Sequence, residues 1–84
     1  MLLHTINKPG PLDNCRDLIA ADDHVLLIED GVYLALTEMK TAFVLKADVE
    51  ARGLSSRLPE SITMVDYTGF VRLADEADKV CAWF

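Results

Sequence analysis

Apolar residues along the chain gather into four short runs, each followed by a polar stretch that carries turn residues or a helical pattern. Met1 to Ile6 is apolar apart from His4 and Thr5 and ends at Asn7-Lys8-Pro9-Gly10-Pro11, where two prolines and a glycine preclude regular structure. This predicts a first strand and a turn. Leu12, Cys15, Leu18 and Ile19 then recur at helical spacing, and Pro11 suits a first helical turn or Asp13 an N-cap. The expectation is a helix of about two to three turns ending near Asp22-Asp23. His24-Val25-Leu26-Leu27-Ile28 is continuously apolar, as befits a strand of a parallel sheet covered on both faces. It stops at Glu29-Asp30-Gly31, and Val32 to Lys40 is apolar enough for only one or two helical turns. Ala42 to Leu45 predicts a third strand. Ala47 to Arg52 predicts a short helix with Gly53 as its left-handed stop, and a polar loop with Pro59 follows. Ile62 to Val65 predicts a fourth strand that runs into Asp66-Tyr67-Thr68-Gly69. Phe70, Leu73, Ala74, Ala77 and Cys81 then trace one helical stripe.

Strand and helix alternate from one end of this pattern to the other, which predicts an α/β fold: a mostly parallel sheet of about four strands with helices on both faces. Its 84 residues form one domain, 1–84, since domains run to roughly 150 residues. An enzyme with separate catalytic and substrate-binding domains is excluded. The segment between the second and third strands is too short to cover much of the sheet. Moreover, Val80-Cys81-Ala82-Trp83-Phe84 is costly to leave in water. Trp83 and Phe84 are therefore expected at a subunit interface, against a partner chain or a second copy, and not folded back onto their own sheet.

Charge narrows the partners. Eight Lys and Arg against 14 Asp and Glu leave a net charge of −6, which opposes direct contact with nucleic acid or anionic lipid. The longest apolar runs fall far short of a membrane span, and the amino-terminal residues lack the basic-then-apolar order of a signal peptide. The expected location is cytoplasmic. The two cysteines, Cys15 and Cys81, lie far apart in sequence with no C-x-x-C pair and no clustered histidines, so no metal site or disulfide is expected. No glycine pattern suited to phosphate is present, and no cofactor is expected.

Chemistry in a parallel sheet gathers at the carboxyl ends of the strands, here the loops Asn7 to Pro11, Glu29 to Gly31 and Asp66 to Gly69. Glu29, Asp30 and Asp66 are more simply explained by loop solvation and helix capping than by an acidic pocket. Cys15 falls near the start of the first predicted helix with Arg16 beside it, a setting that favours thiolate. It also shares the apolar stripe of Leu12, Leu18 and Ile19, where a free cysteine packs as a small hydrophobe. Cys81 falls late in the last predicted helix and reads as packing. His4 and His24 read as structural, since neither is paired with a nucleophile.

Several blocks together, in order and spacing, resemble the DsrH/TusB family of sulfur-relay subunits. They are Leu3-His4-Thr5 through Asn7-Lys8, Val25 through Tyr33, Asp48 through Leu54, Val65 through Val71, and Ala82-Trp83. The resemblance implies a small α/β subunit that assembles with DsrE/TusD-type and DsrF/TusC-type partners, commonly as a dimer of heterotrimers, and passes persulfide sulfur between cysteines. In the Tus branch the sulfur goes towards 2-thiolation of the tRNA wobble uridine; in the Dsr branch it serves sulfur oxidation. The principal sulfur-accepting cysteine belongs to the DsrE/TusD-type partner. Cys15 matches a further cysteine found in the first helix of some DsrH-type members, and so becomes the candidate persulfide carrier. The alternative is a non-catalytic assembly subunit in which Cys15 is only structural. Family members usually have a longer stretch after the loop at Asp30-Gly31; here Leu36 to Thr41 stands in for about a dozen more residues, the length usual in a parallel crossover.

Overall fold

The four apolar runs become four neighbouring strands in the computed structural model, which describes residues 1–39 and 41–83. β1 (Leu2–Ile6), β2 (His24–Leu27), β3 (Ala42–Leu45) and β4 (Ile62–Val65) lie where their hydrophobicity predicts. A fifth strand, β5 (Lys79–Trp83), corrects the expected number of about four and replaces the end of the predicted last helix. All neighbours are parallel and the order is β4-β3-β2-β1-β5.

Chain chirality explains this order. Right-handed crossovers place every connection that steps in one direction on the same face of the sheet, and a return step on the other. The segments after β1, β2 and β3 step towards β4 and share one face. The return from β4 to the far side of β1 puts α3 (Tyr67–Glu76) on the opposite face. Helical cover on both faces is thus as predicted, although it is uneven.

The heavily covered face carries the main core. Ile6, Val25, Leu27, Val44 and Ile62 point into it beneath Leu12, Cys15, Val32, Leu34, Val49 and Leu54. On the other face Leu3 and Leu26 meet Leu73 of α3, flanked by Ile28, Phe43, Val65 and Phe70. Asp66 starts α3 by accepting the Gly69 N–H at 2.8 Å, an N-cap that satisfies one of the helix's free donors.

The connections are shorter than the periodicity suggests. α1 covers only Leu12–Cys15 before tightening into a 3-10 turn at Arg16–Leu18, well before Asp22. Between β2 and β3 the chain forms a 3-10 helix, Glu29–Leu36. At about 2.0 Å per residue it reaches further than an α-helix of equal length, which lets a short segment run back along the sheet. Its residues Gly31, Val32, Leu34 and Ala35 are buried. α2 (Lys46–Ala51) ends at Arg52, and Gly53 takes φ +65°, the left-handed stop expected there.

Candidate functional site

Cys15 is the fourth and last residue of α1, and a single turn aligns few peptide dipoles, so it gives little of the dipole expected to favour a thiolate. Its side chain has no solvent exposure and belongs to the core cluster containing Ile6, Leu27 and Leu34. Burial pushes the thiol upward, against smaller opposing effects from a backbone hydrogen bond and Arg16. The Arg16 guanidinium is itself turned to Glu38, Nη2 to Oε2 at 2.9 Å. A cleft of about 300 Å³ between Pro9–Asp13 and Leu34–Glu38 does not have Cys15 in its wall.

The carboxyl ends of the strands hold the expected acidic residues but keep them apart. Asp66 caps its own helix. Asp30 pairs with Arg52 at 2.9 Å, and Asp48 accepts the Glu29 N–H at 2.7 Å. Arg52 also donates to the Asp48 carbonyl at 3.0 Å. Among the described residues no group of three or more His, Cys, Asp and Glu is placed to hold a metal ion. Glu29 adopts φ +49°, which turns the chain sharply after β2. Asn7 Oδ1, at the end of β1, is buried with no hydrogen-bond partner.

A polar arrangement at His4 joins residues that sequence reasoning treated separately. His4 is 1% exposed on the main-core face. Its Nε2 is 2.9 Å from Asp23 Oδ2, and the Trp83 indole N–H donates to its Nδ1 at 3.1 Å. The two rings stack at 6.2 Å. An indole N–H can only donate, so Nδ1 is the bare nitrogen and Nε2 carries the proton given to Asp23. Asp23 also accepts the Leu2 and Ala20 backbone N–H groups, each at 2.9 Å. These bonds, the Leu2 amide foremost, pull its carboxyl pKa down to about 2. His4 lies in a strand, as expected. Trp83, by contrast, folds back onto its own sheet, contrary to expectation, and remains half-buried. Phe84 lies outside the described residues.

Cys81 is on β5, and the helical position expected for it is corrected; it is the register partner of His4 and half-buried. His24 stands on the opposite face with Phe43 edge-on at 5.2 Å. A second cleft of about 260 Å³ opens at the amino ends of β2, β3 and β4, with His24, Met39, Phe43 and Thr63 in its wall. No helix of the described residues is long and apolar enough to cross a membrane.

Comparison with known proteins gives concordant matches. A family model described as DsrH like protein matches residues 8–80. Protein TusB of Salmonella dublin is 36% identical over 76 residues, covering 79% of this chain and 80% of that protein. Protein TusB of Erwinia tasmaniensis is 40% identical over the same shares. The crystal structure of the ychN protein from E. coli superposes with a TM-score of 0.69 over 96% of each chain, at 14% identity, a likeness of fold alone. The solution structure of protein Tm0979 from Thermotoga maritima superposes with a TM-score of 0.70 over 89% of this chain and 92% of that one, at 27% identity.

Proposed function

The chain belongs to the DsrH family, and from that premise we propose that it is a subunit of a cytoplasmic persulfide sulfur-relay complex, acting in assembly with Cys15 as a core side chain. The observation that carries the assembly role is the enclosure of Cys15. A relay cysteine must present a thiolate to a donor persulfide, and this thiol is fully buried and pushed upward. The partners in this reading are a DsrE/TusD-type subunit, which supplies the sulfur-accepting cysteine, and a DsrF/TusC-type subunit. The TusB relatives at 36% and 40% identity favour the Tus branch, with the sulfur directed to 2-thiolation of the tRNA wobble uridine. Deleting the gene in its host and measuring 2-thiouridine in tRNA by mass spectrometry tests this; unchanged 2-thiouridine would overturn it. Trp83 and Phe84 keep a proposed place beside a subunit interface because β5 is an edge strand. Sedimentation with and without residues 82–84 tests that place, and a monomer at high micromolar concentration in both forms would remove it.

A second reading is favoured by the element that carries Cys15. α1 is four residues long and has no side-chain cap, so it is a short segment to swing out of the core. Once exposed, the Cys15 thiolate would attack the outer sulfur of a donor persulfide, form a new S–S bond, and release the donor as thiolate with no net oxidation. Incubation with a persulfide donor and mass spectrometry separates the two readings. The assembly reading expects no sulfur on Cys15 and unchanged sulfur flux in Cys15→Ala; one added sulfur on Cys15 and lost flux would establish the carrier.

A further inference from the structure

The buried polar chain from Asp23 through His4 to Trp83 joins the turn before β2, the interior of β1 and the end of β5. β5 pairs with β1 alone, because it lies at the edge of the sheet. Its fastenings therefore decide whether it stays in place. At the amino end the Met1 ammonium meets Asp78 at 2.6 Å and the Asp78 N–H meets the Met1 carbonyl at 2.9 Å. Further along the strand, the Trp83 indole holds His4 Nδ1.

Protonation changes only the second fastening. An imidazolium carries N–H on both nitrogens, so a proton added to Nδ1 points at the indole N–H and removes its acceptor. The bond to Asp23 survives, because Nε2 already donates there. The flanking register positions are Val25 on β2, which is apolar, and Cys81 on β5. When β5 opens, water can receive the new N–H, so opening and proton uptake reinforce one another.

We propose that the Asp23–His4–Trp83 chain is a pH-operated latch on β5, in which a proton on His4 Nδ1 releases Trp83 and loosens the edge strand that carries Cys81. This device stands independently of the sulfur-relay reading. A solvated imidazole takes up its proton at about pH 6.5. If the strand opens with or without this proton, and only the opened, solvated imidazole takes it up, the open population grows about tenfold between about pH 7.5 and about pH 5.5.

Amide hydrogen exchange on the intact chain, normalised to intrinsic rates, reads this directly. In wild type and in His24→Gln, residues 79–83 should lose about tenfold in protection over that interval while β2 and β3 do not. In His4→Gln, which keeps a donor and an acceptor but does not titrate there, the protection should stay constant. Unchanged β5 protection in wild type, or the same pH response in His4→Gln, would overturn the latch. Should His4→Gln not fold, 15N chemical shifts of the wild-type imidazole decide the matter. The latch requires Nδ1 to gain its proton in step with β5 opening, and an imidazolium beneath fully protected β5 amides would refute it.

Discussion

At Gly31 the 3-10 helix after β2 comes so close to the end of β1 that a methyl group there would overlap the Ile6 carbonyl oxygen. That oxygen also accepts the Ile28 N–H at 3.0 Å, so it cannot move away freely. Gly31→Ala should cost about 1–3 kcal/mol or more by overpacking, seen as a lower urea midpoint. The Asp23 carboxyl has its native pKa at about 2, below the usual value of 3.8. Its contribution is fully present above about pH 4 and is lost as pH falls through about 2. Asp23→Asn should flatten this part of the stability profile measured by urea unfolding at successive pH values. For Cys15, replacement by Ser puts a more strongly hydrated hydroxyl into an apolar core, at about 1–3 kcal/mol. Cys15→Ala leaves no such group, and comparison of their midpoints isolates the polar cost. The burial of Cys15 was legible in its apolar stripe. Its place as the last α-helical residue was not, because the helix tightens into a 3-10 turn immediately after Cys15.

Among the elements, strands were the most legible, since continuous apolar runs bounded by Gly, Pro and Asp leave few alternatives. β5 was missed for a definite reason. Ala77 and Cys81 continue the spacing of Leu73 and Phe70, and a five-residue apolar run has no period of its own that separates strand from helix. Only the unpaired edge of β1, a tertiary fact, makes it a strand. The same distance hid the polar chain at His4, whose partner Trp83 is 79 positions away. Trp83→Phe keeps an aromatic ring, smaller than the indole, and removes the N–H. It leaves His4 Nδ1 buried without a donor, for a loss of about 1–3 kcal/mol, and differential scanning calorimetry of the variant checks this.

For the whole molecule, uneven cover is the dominant feature: three connections share one face, while α3 alone crosses the other. Tyr67 and Val71 stand on α3 at 63% and 67% exposure, and Val80 on β5 at 47%. In the proposed complex these side chains are available to partner subunits. Val71→Asp should alter monomer stability by no more than about 0.5 kcal/mol and weaken assembly with the partner subunits, as read by thermal melting and sedimentation of the mixture. The strand order has a further consequence during synthesis. β1 waits beside an empty position until β5 arrives, 77 residues later at Asp78 and Met1. Closing so long a loop is slow. A nascent chain therefore carries the bare edge of β1 while β2, β3 and β4 are made, and this sheet can be completed only after Trp83 has left the ribosome.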